Sequence, residues 1–231
     1  MNIIAIIPAR GGSKGFPGKN IASFMGEPLI SWPIKAALSS EYISDVFVTT
    51  DSKEIGDIAV SYGAKVPWLR PEYLALDESV RSDVILHALD NLPACDMFVY
   101  LEPTSPLTDG SDIDKAILAL ISNDQAESCV TVTEMFQYHP SYCVRKNKDG
   151  YISPWVLKSF EEVPINRQDL ESAYFFDGSL YVSLSKSFKL RKEFYHERTI
   201  AIELDFYKHL EIDVKSDIEL AEKAYKENYE N

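Results

Sequence analysis

The chain has 231 residues, 45% of them hydrophobic and 26% charged, with a formal net charge of −13. That length allows one sizeable domain with a real core, and the acidic balance argues against nucleic acid or an anionic membrane surface as a partner. No apolar run reaches the roughly 18 residues of a membrane span, no basic leader with a small-residue cleavage site opens the chain, and Cys95, Cys129 and Cys143 stand far apart in no metal-like spacing. A cytoplasmic protein with reduced thiols is expected.

In chain order, strand-like apolar runs alternate with helical patterns. Strands are predicted over 2–8, 45–50, 97–101 and 128–133, and helices over 28–38, 52–62, 79–91 and 112–123. Pro33 falls inside the first of these helices and predicts a kink or a boundary there. Such alternation implies βαβ units and a mainly parallel α/β sheet with helices on both faces. From 135 to 174 the text is short, aromatic and broken by Pro140, Gly150, Pro154 and Pro164, which predicts a small β-rich insertion. Strands over 178–184 and 199–204 then rejoin the sheet, and an amphipathic helix over 215–227 closes it. The expected organisation is a core of 1–134 plus 175–231, with 135–174 inserted.

Ligands in such sheets bind beyond the carboxyl ends of the strands. Directly after the first strand stands ARGGSKGFPGKN, with Arg10, Lys14 and Lys19 among Gly11, Gly12, Gly15 and Gly18. Glycine lets backbone N–H groups approach phosphate oxygens, Arg adds a planar fork, and Lys adds a mobile charge. A cation cluster in an acidic chain suits a small polyanion such as a triphosphate. The loop is neither a Walker A sequence nor a dinucleotide fingerprint.

The string IIPARGGSKGFPGKN resembles the opening signature of the CMP-N-acylneuraminate synthetases, the cytidylyltransferases of sialic and related nonulosonic acids. RPEYLALDES (70–79), YLEPTSPLT (100–108), NRQDL (166–170), DGSLYV (177–182) and LEIDVKSDIELAE (210–222) follow in that family's order. The resemblance spans nearly the whole chain. It implies a Rossmann-like core of the nucleotide-diphospho-sugar transferase type and a reaction joining CTP to a sugar acid, with release of pyrophosphate.

On that resemblance Arg10, Lys14 and Asp213 are the catalytic candidates. Nucleotide binding falls to Arg10, Gly11, Gly12, Ser13, Lys14, Lys19, Asn20, Arg70, Asp77 and Ser79. Glu102, Thr104, Ser105, Arg167, Gln168 and Asp177 are placed at the sugar. Glu211 and Asp213 are placed on Mg²⁺, with Mn²⁺ as a substitute; two carboxylates two apart on an extended segment share one face. The resemblance further implies a homodimer, with part of the sugar pocket built from the partner's insertion. The insertion's aromatics (Phe136, Tyr138, Tyr142, Tyr151, Trp155) suit either that interface or a small core of their own.

Four positions depart from the family's usual residues: Glu102 for Gln, Thr108 for Arg, Asp177 for Asn and Glu211 for Asp. An ionised Glu only accepts hydrogen bonds, where Gln also donates. A sugar presenting donors, and so different from N-acetylneuraminate, is expected; a 3-deoxy-ulosonic acid such as Kdo is the alternative acceptor. A glycosyltransferase of similar architecture would carry its metal-binding acids near mid-chain, where this chain has Glu102-Pro103-Thr104-Ser105. A silent nucleotide-binding regulator would have lost the loop cations or the metal acids. His87, His139, His196 and His209 form no ligand pair.

Overall fold

Every residue from Ile3 to Ile7 is buried, because the first strand is covered on both faces and therefore reads as an unbroken apolar run. The computed structural model describes residues 1–230 apart from Lys14, Gln137, Arg167 and Asp169. In chain order its elements are β1 (Ile3–Pro8), β2 (Ser23–Phe24), β3 (Glu27–Pro28), α1 (Ser31–Ser39), β4 (Asp45–Thr49), α2 (Lys53–Ser61), α3 (Arg81–Asn91) and β5 (Met97–Leu101). There follow α4 (Gly110–Ile121), β6 (Ser128–Glu134), β7 (Val144–Lys146), β8 (Ile152–Pro154), β9 (Tyr174–Leu184), α5 (Ser185–Arg191), β10 (Thr199–Glu203) and α6 (Lys215–Tyr229).

The main sheet has six strands in the order β10-β6-β9-β5-β1-β4. Pairings β1–β4, β1–β5 and β6–β10 are parallel, while β9 runs antiparallel between β5 and β6. The period of two sorts its side chains between two cores. Ile3, Ala5 and Ile7 face α1, α2 and α4; Ile4, Ile6 and Phe98 face α3 and α5. A third cluster, with Phe24, Leu29, Leu107, Ile212 and Ala221, seats α6 against the β2–β3 hairpin. No helix among the described residues is long and apolar enough to cross a membrane.

Three departures from the sequence reading have local causes. Helix α1 begins at Ser31, so Pro33 sits in the first turn, where its missing N–H costs nothing. Helix α4 starts at Gly110, two residues early, because Asp109 caps it: its Oδ1 accepts from the N–H groups of Ser111 (2.9 Å) and Asp112 (3.2 Å). Strand β9 starts at Tyr174 rather than 178 and carries a bulge opposite Val130–Val132. Among the described residues of 135–173 the strands are β7 and β8. Phe136, Tyr138, Tyr151 and Trp155 are all more than half exposed, so these aromatics do not form a core of their own.

Candidate active site

A cleft of about 530 Å³ lies beyond the carboxyl ends of β1 and β5. The glycine-rich loop after β1 forms one wall. Asn20, 6% exposed, donates from Nδ2 to the Arg10 carbonyl (2.9 Å) and fixes the loop's entry. The Arg10 guanidinium meets Asp77 Oδ1 at 2.8 Å, linking the loop to the segment before α3. Gly11 donates its N–H to Asp51 Oδ1 (2.9 Å), and a β-carbon there would stand 3.2 Å from that of Ser52. A side chain at Gly11 would thus crowd Ser52, whereas nothing approaches the position of a β-carbon on Gly12.

Arg70, 6% exposed, closes the floor. Its N–H donates to the Thr50 carbonyl (2.7 Å), and its Nη2 lies 3.8 Å from Asp51 Oδ1. Burial holds the guanidinium below its ordinary value despite Asp51. Its Nε is buried without a hydrogen-bond partner among the described residues.

The opposite wall is acidic. Ile212 is fully buried and donates its N–H to the Thr104 carbonyl (2.8 Å), which leaves Glu211 and Asp213 on either side of it facing the cleft. Asp217 Oδ2 accepts from the N–H groups of Asp213 (2.9 Å) and Val214 (2.8 Å), fixing the turn into α6. Lys19 Nζ crosses to Asp213 Oδ1 at 2.9 Å. Burial, then the like charges of Asp213, Glu102 and Asp177, push the Glu211 carboxyl up to about 7. Burial also raises Glu102, against the pull of Arg81.

The cleft therefore collects Arg10, Ser13, Lys19, Asn20, Arg70 and Asp77 with Ser79, Glu102, Thr104, Glu211 and Asp213. Gly12 is exposed at the loop tip. Ser105 (2% exposed) and Asp177 (4% exposed) lie beneath the wall instead of on it. The Asp177 carboxylate accepts from the hydroxyls of Thr131 and Thr133 and from the Ser179 N–H (3.0 Å). Thr108 is buried too, next to the cap of α4. Gln168 is exposed and does not line the cleft. Lys14 and Arg167 fall outside the described residues.

Sequence reasoning missed Arg81, Tyr100 and Phe16, all of which line the cleft. For Arg81 a signal existed: it is the first residue of α3, where the helix dipole disfavours a cation.

A profile described as Cytidylyltransferase matches residues 4–230. The chain is 36% identical to CMP-N,N'-diacetyllegionaminic acid synthase of Legionella pneumophila, over 100% of this chain and 99% of that one. It is 35% identical to N-acylneuraminate cytidylyltransferase of Escherichia coli, over 95% of this chain and 51% of the relative. Among solved structures, CMP:2-keto-3-deoxy-manno-octonic acid synthetase complexed with CTP superposes with a TM-score of 0.71, covering 98% and 99% of the two chains. At 15% identity that likeness shows the fold alone. The chain belongs to the cytidylyltransferase family and is a nucleotidyltransferase of acylneuraminate type.

Proposed function

We propose that this enzyme joins CTP to a nonulosonic acid, giving the CMP-sugar and pyrophosphate for surface-glycan synthesis. One observation carries the reading: the cations Arg10 and Lys19 and the carboxylates Glu211 and Asp213 face one another across a single cleft at the strand ends. The sugar's anomeric hydroxyl oxygen attacks the α-phosphorus, the bond to the bridging oxygen of pyrophosphate breaks, and the hydroxyl proton leaves to solvent. Phosphoryl-type transfer asks the protein mainly for positioning and charge neutralisation. Arg10, Ser13, Lys14 and Lys19 with the Gly12 N–H hold the triphosphate and stabilise the leaving pyrophosphate; Asn20, Arg70, Asp77 and Ser79 shape the nucleotide's seat.

Glu211 and Asp213 fit a hard divalent cation. Both are oxygen donors, and their mutual repulsion is what a cation relieves. Mg²⁺ is commonly held by one or two carboxylates plus substrate phosphates and water, which two carboxylates beside a triphosphate seat would supply. When bound, the cation supplies further charge neutralisation at the phosphates.

The two relatives above act on different sugars at nearly equal identity, so the acceptor is assigned here only as a nonulosonic acid. Glu102 and Thr104 line its side of the cleft, with Arg167 and Gln168 reaching it from the 135–174 segment of a partner subunit. The exposed Phe136, Tyr138, Tyr151 and Trp155 support that homodimer.

The test is pyrophosphate release with CTP, Mg²⁺ and a panel of acids: legionaminate-type, pseudaminate-type, N-acetylneuraminate, a deaminated nonulosonate and Kdo. Release with a nonulosonic acid supports the reading. Release with Kdo alone, or with none, overturns it.

A further inference from the structure

Arg81 belongs to no phosphate-binding motif, yet its side chain reaches into the cleft. Its Nη2 lies 3.4 Å from Glu102 Oε1, and its guanidinium stands 4.9 Å from the ring centre of Tyr181 and 5.7 Å from that of Tyr100. The two tyrosines are paired across β5 and β9 and meet edge to face, with ring centres 6.0 Å apart and planes at 70°. Cation–π contact and a carboxylate thus hold the guanidinium on a rigid base.

Three features single the residue out. As the first residue of α3 it is a cation where the helix dipole disfavours one, so its placement rests on tertiary contacts. The nearest approach to Glu102 is 3.4 Å, the Tyr181 hydroxyl takes one donor, and the side chain is 43% exposed, so guanidinium N–H donors remain for a ligand. Its place in the cleft also differs from that of the loop cations. Arg10 and Lys19 belong to the loop after β1, and Arg70 is tied to the end of β4. Arg81 lies over β5 and β9, on the far side of β1 from β4.

We infer that Arg81 is a specificity-determining residue for the acceptor: it donates hydrogen bonds to an oxygen of the sugar acid, with Glu102 serving as its counter-ion. The inference rests on the reading given under Proposed function and changes what Glu102 does there. The wall next to the sugar presents N–H donors, and it selects an acceptor carrying a carboxylate or acyl oxygen at that spot. A free carboxylate would have selected hydroxyls or an amine.

The experiment is steady-state kinetics of Arg81→Ala and Arg81→Lys beside the unaltered enzyme, varying CTP and sugar acid in turn, with melting curves as a check on folding. Loss of charge-assisted hydrogen bonds predicts a KM for the sugar acid raised roughly ten- to hundredfold in Arg81→Ala. The KM for CTP stays within about twofold. Arg81→Lys recovers part of the loss, because it keeps the charge without the fork. An N-acylated acid compared with its free-amine counterpart separates the two oxygens: a loss confined to the acylated acid assigns the acyl group, and an equal loss assigns the carboxylate. An unchanged KM for the sugar, or a rise in the KM for CTP instead, overturns the inference while leaving the cytidylyl transfer intact. Absence of pyrophosphate release by the unaltered enzyme with every acid overturns both.

Discussion

Gly178 and Glu211 are in contact: a β-carbon on Gly178 would stand 2.5 Å from Glu211 Oε1. Gly178 sits at the bulge of β9 with φ of +79°, a conformation that L side chains adopt at a cost of roughly 1–2 kcal/mol. The bulge thereby opens the space into which the Glu211 carboxylate folds. Gly178→Ala should displace Glu211 and lower kcat about a hundredfold, the scale expected for misplacement of a group by roughly 1 Å. The melting temperature should fall by only a few degrees. An unaltered kcat would mean that Glu211 has room to move without consequence.

Glu211 also predicts a pH dependence. Its carboxyl rises from an ordinary 4.5 to about 7 in the fold, first through burial and then through Asp213, Glu102 and Asp177. The folded chain therefore binds more protons than the unfolded chain between those values, and stability falls as pH rises through that window. Metal-free protein should show this as a declining melting temperature from pH 4.5 to 7, with a shallower decline in Glu211→Gln. Apparent affinity for Mg²⁺ should run the other way, weakening as pH drops below 7, because the cation needs the carboxylate. Parallel pH profiles for the two proteins in the absence of metal would refute the assignment.

The asymmetry between what was legible and what was not follows from range. Strand β1 is readable because burial on both faces leaves an uninterrupted apolar run, and the loop after it because glycine and cation chemistry is local. Pro33 was readable as an interruption, but only the start of α1 at Ser31 shows that it is harmless. Asp177 and Glu102 show where locality ends. Read in one dimension, each is a free carboxylate at the sugar. In three dimensions Thr131 and Thr133 of a neighbouring strand take the first, and a guanidinium 21 positions upstream takes the second. No periodicity encodes a bulge whose register is set by cross-strand pairing, so the contact between Gly178 and Glu211 was invisible as well.

Asp177 yields its own test. Its two oxygens accept from two hydroxyls and one N–H, so a side chain without polar atoms in its place would strand those groups. Asp177→Ala should destabilise the fold by about 1–3 kcal/mol, the cost of leaving buried polar groups unpaired. The KM for the sugar acid should hardly change. Denaturant unfolding and kinetics together decide: a large rise in that KM at unaltered stability would return Asp177 to the sugar pocket.

Lys208 anchors the acidic wall from behind. It is 4% exposed, and its Nζ donates to Asp109 Oδ2 (2.7 Å) and Asp112 Oδ2 (2.6 Å), the residues that cap α4. The same residue lies three positions before Glu211, so the ion triad ties the segment carrying Glu211 and Asp213 to the helix after β5. Removing one partner of a buried charge network leaves the others uncompensated, at about 3–5 kcal/mol. Lys208→Met should therefore lower the melting temperature by roughly 10 °C. Adding Asp112→Asn should recover part of it, since one stranded carboxylate is then neutral. If the double variant melts lower than Lys208→Met alone, the loss comes from packing around the lysine stem and not from stranded charge. The metal affinity of Lys208→Met, measured well below its melting temperature, then reports how far the anchor positions Glu211 and Asp213: a weakened affinity at intact fold assigns it that role, and an unaltered one confines Lys208 to stability.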